Sequence, residues 1–162
     1  VKNAYFYDTT IGKILITEDE QGITELSLIT EVDYKSRSEQ LALEYAIEET
    51  MLLKEAGKQL IEYLEGNRKE FTVQLNPKGT QFQRKVWDAL RTIPYGETRS
   101  YKQIAEAVGN VNASRAVGMA NHNNPIMCMI PCHRVIGANG SLVGYAGGLQ
   151  VKEQLINMEK QK

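Results

Sequence analysis

A cysteine, a histidine and an arginine stand side by side at Cys132-His133-Arg134, within the run Ile130-Pro131-Cys132-His133-Arg134-Val135. Only two cysteines and two histidines occur in 162 residues, so this stretch concentrates the scarcest reactive groups of the chain. A thiol attacks as the thiolate, and a neighbouring base or positive field lowers its pKa toward the physiological range. Cys132 and His133 are therefore a candidate nucleophile and base. The plainer alternative is a buried cysteine serving as a small hydrophobe. Neighbours in an extended strand point to opposite faces, so the two side chains meet only if the chain turns between them.

The elements that must position this pair fall in the second half of the chain. Phe82 to Leu90 reads as a helix with Phe82, Val86, Trp87 and Leu90 on one face. After the turn Ile93-Pro94-Tyr95-Gly96-Glu97, Ser100 and Gln103 have the spacing of a capping box, opening a short helix through Val108. Gly109-Asn110-Val111-Asn112 is a tight turn, and Asn112 is placed to cap a second helix ending near His122. Two short helices joined by a glycine-bearing turn outline a helix-turn-helix, an outline shared by helical hairpins that never meet DNA. The second helix holds Ala113, Ser114, Ala116, Gly118 and Ala120, with Arg115 as its only charge. Such small residues suit either tight helix packing or close approach to a sequence-tolerant minor-groove surface. The apolar run 126–130 reads as a buried strand leading to Cys132. Gly137-Ala138-Asn139-Gly140 is a hairpin signal, and Leu149 to Lys160 is a helix with Leu149, Val151, Leu155, Ile156 and Met158 for packing.

The first half reads as α+β. Strand-like segments at Tyr5–Tyr7, Lys13–Thr17 and Ile23–Leu28 are separated by turn residues, which predicts a three-stranded meander. Ser38 to Glu65 has helical periodicity, with Gly57 marking either a break or only a weak point. Residues 71–75 alternate like a strand, and Asn76-Pro77-Lys78-Gly79 is a linker. The expected division is an α+β domain over 1–76 and a mainly α domain over 77–162.

Net charge is −1, but residues 1–79 carry 9 basic and 15 acidic side chains while residues 80–162 carry 10 and 5. A polyanion is drawn to the second half and repelled by the first, unless the split is ordinary fluctuation. No run is long and apolar enough to span a bilayer, and the first residues lack a secretory layout. An intracellular, cytoplasmic protein with free thiols is expected.

Taken together, the second half resembles the O6-alkylguanine-DNA alkyltransferases. The resemblance rests on Ile93–Glu97, Ser100-Tyr101, Arg115-Ala116-Val117-Gly118, Asn124-Pro125, Ile130–Val135, Gly144-Tyr145-Ala146-Gly147-Gly148 and Lys152-Glu153. It implies a ribonuclease H-like first domain by analogy and a second domain that binds DNA and accepts the alkyl group. In that reading Cys132 takes the alkyl group from guanine O6, once per molecule, and no cofactor is needed. Its proton passes through a water to His133, which Glu159 orients, and Asn124 braces the loop. Tyr101, Val135, Tyr145, Ala146 and Gly147 line the base pocket. Arg115 is the finger that replaces a flipped base, with Tyr101, Lys102, Asn110 and Gln83 as further DNA contacts. The implied partner is double-stranded DNA bearing O6-alkylguanine, O4-alkylthymine being a further possible substrate, and the implied state is a monomer. Two departures stand out: Ala146 replaces a hydroxyl residue of some members, and residues 1–79 hold neither the cysteine nor the histidine of a structural zinc site. Three rival readings are a sensor that binds damage without repairing it, a metal site of His122, Cys128, Cys132 and His133, whose spacing fits no usual zinc centre, and a cysteine hydrolase, which needs a deacylating water and an oxyanion hole that the sequence does not show.

Overall fold

The computed structural model describes residues 2–142, 145 and 148–161, in two compact units that divide between Pro77 and Lys78. In the first unit, strands β1 (Asn3–Thr9), β2 (Gly12–Asp19) and β3 (Gly22–Ile29) form the expected antiparallel meander. Its first turn has two residues, Thr10 and Ile11, and closes on Gly12 at φ 128°, a conformation that glycine adopts without steric cost. Successive side chains of β2 serve opposite faces of the sheet. Leu15 gathers with Ala4 and with Leu41 of helix α1 (Glu31–Glu44). Ile14 lies opposite Tyr7 of β1, on the face where Tyr7 meets helix α2 (Met51–Leu64).

Two expectations for this unit are corrected. The helical pattern over 38–65 is two helices, and the break falls at 45–50, where β4 (Ala46–Ile47) pairs parallel with β1 to give the order β3-β2-β1-β4. Thr50 caps α2 by accepting from the Leu53 N–H. Gly57 is no weak point: it is buried within α2, and a β-carbon there would stand 2.8 Å from the Tyr7 ring. The alternating segment 71–75 forms no strand. It makes one isolated parallel bridge, Leu75 to Ile23, with backbone bonds on either side from Ile23 N–H to Gln74 and from Asn76 N–H to Ile23.

The second unit holds α3 (Gln81–Leu90), β5 (Arg99–Ser100), α4 (Tyr101–Ala107), α5 (Ser114–His122), β6 (Val135–Ile136) and α6 (Leu149–Lys160). Ser100 and Gln103 form the capping box read from the sequence, and Thr80 with Gln83 forms a second one at α3. Helices α3, α4 and α5 pack on one another. Trp87 anchors α5 by donating its indole N–H to the Ala120 carbonyl at 2.8 Å inside the core.

Four local expectations here are also corrected. Asn112 does not cap α5. Its own N–H is taken by the Asn110 side chain at 3.2 Å, and the helix starts after Ala113 with no side-chain cap. Residues 126–130 are buried but coiled, not extended. Met129 N–H bonds back to Met127, Ile130 N–H to Ile126, and Cys128 sits at φ 68°. Gly137–Gly140 does turn, closed by Gly140 N–H to Gly137, but β6 pairs parallel with β5 rather than across that turn. In α6, Leu149 is half exposed, while Leu155 and Ile156 are buried together with Lys152 and Glu159. No helix among the described residues is long and apolar enough to cross a membrane.

Candidate active site

The coil at 126–130 is built on one side chain. Asn124 donates from Nδ2 to the Ile130 carbonyl at 2.8 Å and to the Ile126 carbonyl at 3.3 Å, while its Oδ1 accepts from the Ile126 N–H at 3.0 Å. An amide that both donates and accepts replaces the ladder partners that an apolar strand would need. The chain then turns through a 3₁₀ segment, Cys132–Arg134, closed by Val135 N–H on the Cys132 carbonyl. This is the turn that the adjacency of Cys132 and His133 required, and all three of its side chains are buried.

His133 Nε2 lies 2.7 Å from Glu159 Oε2, with both side chains fully enclosed. The same carboxylate accepts from Arg134 Nε at 2.8 Å and Arg134 Nη2 at 3.0 Å, and from the Gly96 N–H at 3.2 Å. Arg134 also donates to the Ile93 carbonyl at 2.7 Å and stands over the Tyr95 ring. A carboxylate with this many donors is ionised, so Nε2 carries the histidine proton and Nδ1 is the basic nitrogen. Burial pushes the His133 pKa below its ordinary value, against the raising pull of Glu159. His133 is therefore neutral at physiological pH.

The thiol corrects a further expectation. Burial dominates over the neighbouring positive charge and pushes the Cys132 pKa up to about 11, although a hydrogen bond from Asn124, the Lys152 ammonium and Tyr145 act the other way. At rest the nucleophile is a thiol, so attack requires its proton to leave during the reaction, as general-base catalysis provides. The base must be neutral. The rate of any reaction at Cys132 is expected to stay level as pH falls through about 6.5 and to drop only below it, because the histidine is shifted downward. In the same scan, fold stability contributed by the thiol is present below pH 9 and lost as pH rises through about 11. A rate profile that fell off above pH 7 on lowering the pH would contradict the neutral buried base.

Tyr101 opens α4 with its phenol held protonated, its pKa raised chiefly by burial. A β-carbon on Gly118 would lie 3.9 Å from the Tyr101 ring, so the small face of α5 lets that ring stand beside it. Val135 and Tyr145 are buried. Arg115, Lys102 and Asn110 are exposed on α5, on α4 and in the turn between them. Gln83 spends its carbonyl oxygen in the α3 capping box. Ala146 and Gly147 lie outside the described residues. His122 is exposed at the end of α5, whereas Cys128 is buried, its pKa raised by burial.

Two charged residues of this centre escaped the sequence reading. Arg134 was read only as part of the motif, and Lys152 as part of a resemblance. The signal for Lys152 was present: it falls seven residues, two helical turns, before Glu159 on the stripe that carries Leu155 and Ile156, a phase that buries its side chain.

The chain is similar to known proteins along nearly its whole length. Residues 81–161 match the family described as 6-O-methylguanine DNA methyltransferase, DNA binding domain, and residues 4–77 match its ribonuclease-like domain. The chain belongs to the 6-O-methylguanine DNA methyltransferase family. This methyltransferase is 48% identical over 156 residues to the constitutive methylated-DNA–protein-cysteine methyltransferase of Bacillus subtilis, covering 94% of this chain and 92% of that one. The Methanosarcina acetivorans methylated-DNA–protein-cysteine methyltransferase is 46% identical over 153 residues, covering 94% and 95%. Among solved structures, the Mycobacterium tuberculosis O6-methylguanine methyltransferase superposes with a TM-score of 0.86 at 40% identity, covering 99% of this methyltransferase and 94% of that chain. The M. tuberculosis protein has also been solved in complex with DNA, at the same TM-score and identity. The ribonuclease-like description agrees with the α+β reading of the first unit.

Proposed function

We propose that Cys132 is the alkyl acceptor of this methyltransferase and that His133, Glu159, Asn124 and Tyr101 serve it. The protein is an enzyme that repairs alkylated DNA directly, by moving the alkyl group to a cysteine, and DNA is its partner. The observation that carries the assignment is the buried Cys132-His133···Glu159 line, with a 2.7 Å contact between the last two, inside the stretch that matches the DNA binding domain.

In the proposed reaction an O6-alkylguanine leaves the duplex stack, at a cost of roughly a few kcal/mol, and Arg115 fills the gap. The sulfur of Cys132 bonds to the alkyl carbon as the bond from that carbon to guanine O6 breaks. The thiol proton moves through one water to His133 Nδ1, and Glu159 stabilises the imidazolium that forms. Tyr101, kept protonated by its surroundings, donates to the purine as charge develops on it, which stabilises the leaving group. The product is a thioether, a poor leaving group, so each molecule acts once.

The small face of α5 suits a minor-groove contact that tolerates any sequence, with α4 and α5 as a helix-turn-helix and Lys102, Asn110 and Gln83 meeting the backbone. Val135, Tyr145, Ala146 and Gly147 border the base. The protein acts as a monomer in the compartment that holds its DNA, the cytoplasm in a prokaryote.

The test is the intact mass of the full chain after incubation with a duplex carrying one O6-methylguanine. A gain of one methyl group per molecule, absent from Cys132→Ala, is the expected result. Tight binding with no gain in mass would instead make this a damage sensor.

A further inference from the structure

Asn121, in the last turn of α5, is buried to 2% exposure and points its amide at the nucleophile's own backbone. Its Nδ2 donates to the Cys132 carbonyl at 3.3 Å. That carbonyl already accepts the Val135 N–H that closes the 3₁₀ turn, so Asn121 adds a second donor and fixes the carbonyl in two directions. The other end of the amide, Oδ1, is buried and has no hydrogen-bond partner among the described residues.

A half-satisfied buried amide is a poor stabiliser. The desolvation of an unpartnered acceptor outweighs what one long hydrogen bond returns, and an apolar side chain of the same shape is as stable or more so. The Cys132 carbonyl would keep its Val135 donor without Asn121. The amide is therefore costly to the fold and directed at one group, the peptide that presents the thiol. Asn121 is also rigidly held: the residue before it receives the Trp87 indole, which ties this end of α5 to α3. Arg115 lies six residues earlier on the same helix, about 9 Å along its axis.

We propose that Asn121 is a positioning residue for alkyl transfer. It references the Cys132 turn to α5, so that the helix proposed to meet DNA and the sulfur that attacks keep one fixed spacing. It touches neither the alkyl group nor the base, and it acts through the orientation of the Cys132 peptide. This inference rests on the assignment of Cys132 as acceptor.

The test compares the full chain with Asn121→Leu in three measurements: melting temperature, affinity for an unmodified duplex, and the single-turnover rate of methyl transfer from a duplex carrying one O6-methylguanine. The expected result is a melting temperature equal to or above that of the parent, unchanged duplex affinity, and transfer slowed about tenfold. Asn121→Asp, which keeps the shape and removes the donor, is expected to transfer as slowly. Parent-like transfer by either variant would overturn the proposal. So would a melting temperature of Asn121→Leu that fell together with the rate, since the amide would then serve the fold. A parent chain that gained no methyl group would overturn the assignment of Cys132, and this inference with it.

Discussion

Glu159→Gln is expected to cost the second unit about 3–5 kcal/mol and to slow methyl transfer by two orders of magnitude or more. The first effect comes from Arg134. Its guanidinium makes two hydrogen bonds to the Glu159 carboxylate, at 2.8 and 3.0 Å, and is itself buried. Removing the negative charge leaves a cation enclosed without its counter-ion, which is far worse than never having buried the pair. The second effect comes from His133. A neutral amide no longer favours the imidazolium that proton transfer creates, so the base loses the group that makes it effective. The two effects separate in the double variant Glu159→Gln, Arg134→Met. Replacing both members by uncharged groups is expected to return most of the stability and none of the rate. The chain's single tryptophan, Trp87, is buried in this unit, so its fluorescence follows the relevant melting. Methyl transfer at the parent rate by folded Glu159→Gln would remove the carboxylate from the mechanism.

Methylation of Cys132 is expected to destabilise the protein it repairs with. The thiol lies in a site 3% exposed, between the Asn124 loop, Tyr145 and Lys152. A methyl group added to so enclosed a sulfur crowds the side chains around it, and inserting one into a well-packed core costs about 1–3 kcal/mol. The S–H donor is lost at the same time. For a protein of this size the drop in melting temperature should be roughly 2–10 °C. Mass-verified methylated and unmethylated protein, compared by tryptophan fluorescence on heating, gives the answer. Equal melting temperatures would show that the pocket already has room for the group, and the spent protein would then be as durable as the fresh one.

The destabilisation and the chemistry have one origin, the depth at which the thiol is held. Depth keeps the sulfur protonated near neutral pH and keeps His133 neutral beside it. The reactive pair is therefore quiet until a substrate displaces the proton balance, and a crowded product is the consequence.

What could be read along the chain was whatever depends on neighbours a few residues away. The Ser100–Gln103 capping box, a turn between the first two strands and the adjacency of Cys132 to His133 are local facts, and each appears in the structure as read. The ends of α6 were also legible, because twelve residues of helical periodicity outweigh any single exception. Errors arose where periodicity was the only guide. Residues 126–130 are apolar enough for a strand, but the side chain of Asn124 supplies hydrogen bonds that a strand partner would have supplied, so the backbone coils. Gly57 looked like a flaw in a helix because its reason, the Tyr7 ring, is 50 residues away.

Tertiary structure alone decided the electrostatics. Residue types made Cys132 a candidate nucleophile and placed His133 and Arg134 directly after it, which argued for a depressed thiol pKa. Burial reversed that sign, and burial is the sum of contacts from elements scattered over the second unit. The same holds for Glu159, brought within 2.7 Å of a histidine 26 residues earlier, and for Arg134, Lys152 and Asn121. The sequence by itself determined which groups were present and which sat next to each other. Only the fold determined which were shut away from water, and the charge each one carries follows from that.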